Sequence, residues 1–313
     1  REGVAVLIDL LPLLSAEVCG QAEDALYQLA GDTAPSVPAG AAADDNKKRR
    51  DAWAAWWKVN ANRVDPARMS AHSWLGYTLI CDNRANRVYE IDRHGKQRWS
   101  INNVSSPLDA VVLPGNRVLV AERGRGHVTE RDFQGKIVWQ KQAAGAVNVQ
   151  RLPNGHTFIA SFAGAIAEVD RNGKEIYTIP KVPGNVLAAY RSRRGEIVCV
   201  TNDNQCRFLD TTGKQLRIFP VKYPLGSMGC LDVRRDGRVL IAAFRAGKVM
   251  EYDSQGKLLH EWDVPQVLTA TGLPNGHILA SRQNRNRVVI ELDRAGKVVR
   301  EQTINQAYRA RRR

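Results

Sequence analysis

The sequence predicts a mainly β fold built from six copies of one unit, and two observations carry that prediction. The first is the pattern D-x-x-G-K, which recurs at intervals of 38 to 43 residues and begins at Asp92, Asp132, Asp170, Asp210, Asp253 and Asp293. The second is the alternation of short apolar or β-branched runs with polar loops, as in HTFIAS, AIAEVD and KIVWQ. A period of about 40 residues indicates a repeat architecture in which every copy adopts the same structure.

Each copy reads as four short antiparallel strands. The first strand ends in a turn of the LPNG type, and the next two flank a polar loop. D-x-x-G-K then turns into the fourth strand, because Asp bonds backbone amides at a turn and Gly supplies the positive φ. Four strands in about 40 residues are typical of a β-propeller blade. We therefore predict six four-stranded blades over residues 70–313, with the C-terminal INQAYRARRR pairing into the first blade to close the ring.

Residues 1–65 are predicted to form a separate helical segment. Apolar residues recur at helical spacing through VAVLIDLLPLLSAEVCGQAEDALYQLAG, and a linker rich in Pro, Ala and Gly follows at about 32–45. A further helix at about 46–60 places Trp53, Trp56 and Trp57 on one face, which we expect to pack within the helical segment or onto the propeller. The segment resembles a HEAT repeat. That resemblance implies further repeats before Arg1, so we interpret the start of the chain as truncated or processed.

The repeats also resemble two propeller families. RVVIELDRAGKVV and the N-x-N-R-V loops resemble NHL-type six-bladed propellers. EIDRHGKQRW and ERDFQGKIVW are similar to the repeat of quinoprotein-like propellers, in which Trp docks one blade against the next. Trp99 and Trp139 keep that Trp, but the later units replace it, and there are six units rather than the quinoprotein eight. The resemblance therefore implies the fold without implying a quinone cofactor.

Several classes of function are disfavoured by what the sequence lacks. No apolar run approaches the roughly 18 residues of a membrane span, so we expect a soluble protein, in a compartment that the sequence does not indicate. There is no C-x-x-C pair, nucleophile elbow, H-E-x-x-H helix or phosphate-binding loop. His156 and His277 occupy the same place in their repeats, which indicates a structural feature rather than a metal pair. We assign no catalytic residue and no cofactor.

Basic residues gather on one predicted face. Residues 1–65 hold ten acidic and seven basic residues, whereas the rest holds 22 acidic and 39 basic residues. The loops between the second and third strands share one face of the propeller, and they place a basic rim there: Arg84, Arg87, Arg123, Arg125, Arg207, Arg245, Lys248, Arg282, Arg285 and Arg287. Arginine suits bidentate binding of carboxylate, sulfate or phosphate.

The function predicted from this rim is a non-enzymatic, monomeric scaffold that binds an acidic protein or an anionic polysaccharide. Nucleic acid is the less favoured partner, because the rim loops hold almost no aromatic residues for base stacking. An alternative interpretation is that the arginines serve solubility or bond loop carbonyls between blades.

A rival prediction is a metal-dependent hydrolase. Counting back four residues from each LP or its equivalent gives the channel-facing candidates Asp109, Asn148, Ala188, Cys230 and Thr269, with Asn185 just upstream of Ala188. Asp109, Asn148 and Asn185 offer oxygen ligands to Ca²⁺, an arrangement similar to that of the gluconolactonase family. The favoured interpretation is that these polar residues bond strand ends and water.

Overall fold

The computed structural model describes residues 2–14, 22, 25–26, 29–30, 33, 35, 43–64, 76–92, 94–113, 115–152, 154–192, 195–225, 229–234, 237–273, 275–283, 288–304 and 307–312. Within these residues, 24 strands form six four-stranded antiparallel sheets arranged as the blades of a propeller. The six-bladed fold predicted from the repeats is therefore confirmed.

Strands are numbered along the chain, and their order within a blade is counted outward from the central channel. The innermost strands are β4 (Pro107–Leu113), β8 (Ala146–Arg151), β12 (Val186–Arg191), β16 (Gly229–Val233), β20 (Val267–Gly272) and β24 (Ala307–Arg312). The second strands are β1 (Thr78–Asp82), β5 (Arg117–Glu122), β9 (Thr157–Ser161), β13 (Ile197–Thr201), β17 (Val239–Ala243) and β21 (Ile278–Arg282).

The third strands are β2 (Arg87–Ile91), β6 (His127–Asp132), β10 (Ile166–Val169), β14 (Gln205–Leu209), β18 (Lys248–Tyr252) and β22 (Val288–Leu292). The outermost strands are β3 (Gln97–Asn102), β7 (Ile137–Gln142), β11 (Glu175–Ile179), β15 (Gln215–Pro220), β19 (Leu258–Asp263) and β23 (Val298–Thr303). Blades 2 to 6 each take four consecutive strands, beginning at β4, β8, β12, β16 and β20.

Burial decreases from the middle of each blade to its outer edge. The second strands β1, β9, β13 and β17 are buried at every position, because neighbouring blades cover both faces of the sheet. Such strands read as continuous apolar runs, as in the IVCV of β13. The outermost strands β7 and β23 are covered only at alternate positions. The core is thus a set of layers between blades; one of them joins Phe208, Phe219 and Tyr252 across blades 4 and 5.

The D-x-x-G-K turn has the chemistry expected from its sequence. Asp92 Oδ1 accepts hydrogen bonds from the amides of His94 (2.8 Å) and Lys96 (2.9 Å). The same two bonds recur at each of the other five repeat aspartates. The glycines of the six turns have φ between 82° and 91°, a region that favours residues without Cβ.

The two LPNGH turns hold a histidine against the third strand of the same blade. His156 Nδ1 lies 2.7 Å from Glu168 Oε1, and His277 Nδ1 lies 2.8 Å from Glu291 Oε1. Glu168 and Glu291 are largely buried, so each histidine gives a shielded carboxylate a hydrogen-bond partner. The two histidines thus make the same contact in their blades, in agreement with the interpretation that both are structural features of the repeat.

The C-terminal strand closes the ring. β24 pairs antiparallel with β1 and becomes the innermost strand of blade 1, whose other three strands come from the start of the propeller. This is the closure expected from the missing innermost strand in the first repeat. It joins the two ends of the propeller in one sheet and supplies the first blade with its innermost strand.

The helical segment contains a helix at Glu2–Leu10, a 3₁₀ turn at Leu11–Leu13 and a longer helix at Ala43–Asn60. Trp53 is 0% exposed and packs with Trp56 among apolar residues of the first helix, including Val4 and Ile8. The tryptophan face therefore packs within the helical segment, the first of the two expected arrangements. Most of the predicted linker lies outside the described residues, and the HEAT resemblance stays a prediction. Neither described helix combines the length and the apolar character that a membrane crossing requires.

Candidate functional site

The channel candidates occupy equivalent places in the ring. Each pairs with the penultimate residue of its second strand, as Asp109 does with Ala121 and Asn148 with Ala160. The complete set of equivalent positions is Asp109, Asn148, Ala188, Cys230, Thr269 and Arg309, all of them buried. Sequence reasoning missed Arg309, because no LP motif follows β24. Aligning AYRARR with the other innermost strands is the signal that finds it.

Both oxygens of the Asp109 carboxylate are bonded to protein groups. Oδ1 lies 3.2 Å from Arg309 Nη1 and accepts hydrogen bonds from Arg311 Nε (3.1 Å) and Nη2 (2.9 Å). Oδ2 accepts from Asn148 Nδ2 (3.0 Å) and from the Val149 amide (3.2 Å). Two arginines of the closing strand thus reach the first strand of blade 2. The closing strand β24 is therefore held in two ways: by strand pairing to β1 and by ion pairs to β4.

The charges in this cluster support one another. Burial raises the pKa of Asp109, but Arg309, Arg311 and the hydrogen bond from Asn148 outweigh it and hold the pKa below its ordinary value. Burial likewise lowers the pKa of Arg309 and Arg311, and the Asp109 carboxylate outweighs it, so the pKa of both guanidinium groups is raised. The cluster is therefore fully ionised at neutral pH.

This arrangement does not fit the predicted calcium site. A cation at Asp109 would replace two guanidinium groups that already neutralise the carboxylate. Asn148 turns its amide nitrogen toward Asp109, because its Oδ1 accepts the Ala189 amide at 3.1 Å. Asn185 lies before β12 and exchanges two hydrogen bonds with Asn202 through its backbone. Among the described residues, no group of three or more His, Cys, Asp or Glu side chains is placed to hold a metal.

Polar side chains of the innermost strands instead bond the backbone of the next innermost strand. Gln150 bonds both the amide and the carbonyl of Arg191, at 3.0 and 3.1 Å. The Cys230 thiol lies 3.6 Å from the Ala270 carbonyl. These contacts join neighbouring blades at the channel wall. The favoured interpretation of the channel residues likewise has them bonded to strand ends.

Part of the predicted basic rim is neutralised. Arg87 pairs with Asp82 at 3.2 Å, and Arg207, only 5% exposed, pairs with Asp203. Lys248 pairs with Glu261 and Asp263 (3.1 and 2.8 Å), whereas Arg282 Nε donates to the Pro265 carbonyl (3.0 Å). Arg87, Arg207 and Lys248 are thus held in ion pairs, and Arg282 bonds a loop carbonyl, which is the kind of contact that the alternative interpretation describes.

Four other rim arginines are exposed, and we call them the arginine arc: Arg84, Arg123, Arg125 and Arg245. None of the four forms an ion pair with any described residue. The Arg123 guanidinium lies 5.7 Å from the ring centroid of Phe162 in the next blade. Arg84, Arg123 and Arg125 belong to the adjacent blades 1 and 2, whereas Arg245 belongs to blade 5, which lies opposite blade 2 in the ring of six. Arg285 and Arg287 lie outside the described residues.

A comparison with family models supports the repeat type. The model described as "Outer membrane protein assembly factor BamB", which represents a PQQ-like repeat, matches residues 84–176. This match covers parts of blades 1 to 3. No curated protein sequence matches the chain.

Solved structures of low sequence identity share the architecture. A protein of unknown function from Bacteroides caccae superposes with a TM-score of 0.62 at 14% identity, covering 75% of this chain and 97% of that one. A streptogramin B lyase gives a TM-score of 0.56 at 14% identity, with coverages of 74% and 81%. Virginiamycin B lyase from Staphylococcus aureus gives 0.54 at 14% identity, with coverages of 74% and 82%. At this identity the likeness concerns the fold alone. The chain is a six-bladed β-propeller with PQQ-like repeats.

Proposed function

We propose that the protein is a non-enzymatic binding module that holds an acidic segment of another protein on the arginine arc. The observation that carries this proposal is that the four arc guanidinium groups are exposed and unpaired among the described residues, while neighbouring rim cations are neutralised. Free guanidinium groups bind carboxylates bidentately, and a group of them attracts an acidic partner at long range.

The chemistry of the channel supports binding over catalysis. Asp109 is ion-paired on both sides and its pKa is lowered, so it is a poor candidate for a general base or a metal ligand. Two of the similar structures are lyases, but a propeller hosts many unrelated chemistries, and the fold does not transfer their activity. The matched family model is described as an assembly factor, which favours a protein partner.

A protein segment suits the arc better than a uniformly charged polymer. Phe162 lies beside Arg123 and adds an apolar contact to the basic surface. The corresponding loop of blade 4 carries the ion pair of Asp203 with Arg207 in place of a free cation, so a polyanion that encircles the face gains no contact there. An acidic segment with an apolar residue, lying across the face from blades 1 and 2 to Arg245 on blade 5, therefore matches this surface better than a uniformly charged polymer does.

The test compares two triple charge reversals that change the net charge equally. One variant carries Arg84→Glu, Arg125→Glu and Arg245→Glu on the arc. The control carries the same reversal at three exposed lysines of the opposite face: Lys136→Glu, Lys174→Glu and Lys257→Glu. Fluorescence anisotropy with a labelled glutamate-rich peptide containing phenylalanine measures Kd. We expect the arc variant to bind at least about tenfold more weakly, since each exposed pair contributes about 0.2–1 kcal/mol and reversal adds repulsion.

Two results would reject the proposal. The first is an equal loss of affinity in the control variant, which would show a general charge effect. The second is tighter binding of heparin or duplex DNA than of the peptide at equal ionic strength. That outcome would identify the arc as a polysaccharide or nucleic-acid surface.

A further inference from the structure

A cavity of about 260 Å³ lies at the end of the channel opposite the arginine arc. Its lining includes Val111 and Val112 of β4, Asp232 of β16 and Arg311 of β24, all near the ends of innermost strands. The arc loops adjoin the starts of those strands, as shown by the pairing of Pro107 with the last residue of β5. The cavity therefore opens on the face that carries the LPNG and D-x-x-G-K turns.

The lining draws on a second ring of equivalent positions, two residues along each innermost strand from the ring that contains Asp109. Its members are Val111, Gln150, Tyr190, Asp232, Thr271 and Arg311. Asp232 and Arg311 are the charged members, and both line the cavity. They belong to blades 5 and 1, with blade 6 between them. Two opposite charges thus face the same cavity from different blades.

The Asp232 carboxylate has no positive group in contact with it among the described residues. Oδ2 accepts the Gly272 amide at 2.9 Å, whereas Oδ1 accepts no hydrogen bond from those residues, and none of them forms an ion pair with Asp232. Arg234, two residues further along the chain, pairs with Glu251 instead. Asp232 is partly exposed, and its Oδ1 is not enclosed by protein atoms, so a guest in the cavity can reach it.

Arg311 carries positive charge that Asp109 neutralises only in part. Arg309 and Arg311 share the single Asp109 carboxylate, so these three side chains hold one positive charge in excess. Arg311 contacts Asp109 through Nε and Nη2, and its Nη1 is not used by that carboxylate. The Arg311 side chain is 20% exposed. Arg312, on the same wall, is paired with Glu291. Arg311 is therefore the cation that a guest in the cavity can meet.

Asp232 and Arg311 influence each other without touching. Burial raises the pKa of Asp232, and Arg311 opposes that rise. Burial lowers the pKa of Arg311, whereas Asp109 and Asp232 raise it. No ion pair joins Asp232 to Arg311, so a gap separates the two charges. A neutral guest would leave both of them uncompensated, and a simple ion of either sign would compensate only one. A guest with both an ammonium and a carboxylate group compensates both.

We propose that this cavity binds a free α-amino acid with an apolar side chain of about the size of leucine. The ammonium group bonds Asp232 Oδ1 and the carboxylate bonds Arg311 Nη1, while the side chain lies against Val111 and Val112. Hydrogen bonds between charged groups are stronger than neutral ones, so the two charged ends orient the guest. The volume equals roughly nine water molecules at about 30 Å³ each, which is enough for leucine. The proposal is independent of the arginine arc, since the two lie on opposite faces.

The experiment measures Kd on the whole chain at neutral pH by saturation-transfer NMR, with L-leucine as the probe. Two analogues each lack one charge of leucine: 3-methylbutylamine has no carboxylate, and 4-methylpentanoate has no ammonium group. We expect leucine to bind in the low millimolar range, as a ligand of this size does at modest efficiency. Both analogues should bind at least about tenfold more weakly, because each leaves one charged group of the cavity uncompensated.

Asp232→Asn keeps the shape of the side chain and removes its charge, so it should fold normally and bind leucine at least about fivefold more weakly. Asp263→Asn is the control for net charge, because Asp263 is 81% exposed in its side chain on the outermost strand of the same blade. Thr271→Val is the control for the cavity wall, because the Thr271 hydroxyl is enclosed by protein and does not meet the guest. Both controls should leave leucine affinity unchanged.

The proposal is overturned if leucine gives no saturable signal below about 50 mM, a concentration at which millimolar binding would be complete. Binding of either analogue as tightly as leucine would also overturn it, since one charge of the guest would then suffice. An equal loss of leucine affinity in Asp263→Asn or in Thr271→Val would show that the Asp232 carboxylate does not hold the ammonium group, and would overturn it too.

Discussion

Removal of the Asp109 carboxylate should weaken the closure of the propeller. Asp109 is 0% exposed, and its oxygens hold Arg309 and Arg311, which come from the strand that closes the ring. In Asp109→Ala the two guanidinium groups keep their charge and lose their partner. Arg309 cannot turn to solvent easily, because only 3% of its side chain is exposed, whereas Arg311 is 20% exposed and recovers part of its hydration.

The size of the expected loss in stability follows from this burial. Loss of one partner of a buried ion pair costs about 3–5 kcal/mol, because an uncompensated charge remains inside the protein. A domain of this size shifts in Tm by about 2–4 °C for each kcal/mol, so Asp109→Ala should melt about 6–20 °C below the wild type. Urea unfolding followed by tryptophan fluorescence gives the free energy, and thermal unfolding gives Tm.

A double variant separates the ion pair from simple loss of packing. Asp109→Ala with Arg309→Met removes the more buried of the two charges that have lost their partner, so it should be more stable than Asp109→Ala alone. The pH dependence provides an independent check. The folded-state pKa of Asp109 lies below its unfolded value of about 3.9, so the carboxylate stabilises the fold above that pH and ceases to do so as the pH falls through the folded pKa.

The difference in stability between wild type and Asp109→Ala should therefore narrow below about pH 4. A cost of less than about 1 kcal/mol for Asp109→Ala at neutral pH, the range of an exposed pair, would show that the buried ion pair does not hold the ring closed. The same would follow if Arg309→Met added its full single-variant cost to that of Asp109→Ala, because the two side chains would then act independently.

Three other substitutions test separate parts of the structure. Asp232→Asn should raise the urea midpoint at pH 7. Burial raises the pKa of this carboxyl, so the folded protein loses stability as the pH rises above the unfolded pKa, and the asparagine variant avoids that loss. A lower midpoint would contradict this. Gly256→Ala should lower the free energy of unfolding in urea by about 1–3 kcal/mol more than Gly115→Ala does. A Cβ at Gly256 would lie 2.5 Å from the Phe219 side chain, whereas a Cβ at Gly115 would meet open space. Equal costs for the two variants would show that the contact with Phe219 is not close. Trp53→Ala should cost about 3–5 kcal/mol and abolish the helical circular-dichroism signal without moving the propeller transition; a shifted propeller transition would show that the two parts unfold together.

The fold could be predicted because its main determinants are local and repeated. D-x-x-G-K fixes a turn through bonds within five residues, and six copies of it count the blades. The missing strand in the first repeat even indicated how β24 closes the ring. Because the same pattern occurs six times, an irregularity in one copy does not obscure it, and the architecture could be predicted without knowledge of side-chain contacts.

The channel and the rim were less predictable because their contacts are distant in sequence. Asp109 and Arg311 lie 202 residues apart, and nothing near either residue reveals the other. Lys248 is neutralised by Asp263 through the pairing of β18 with β19, which requires the strand register. Arg207 is the exception: Asp203 precedes it by four residues in the same hairpin, and their pairing could have been expected.

Hydrogen exchange with and without the acidic peptide shows directly which face of the propeller binds the partner. We expect slower amide exchange in the loops at 83–86, 123–126 and 244–247, which carry the arginine arc. Exchange in the turns at 133–136 and 254–257 on the opposite face should stay unchanged. Protection of those turns, or of neither face at saturating peptide, would contradict the assignment of the arc as the binding surface.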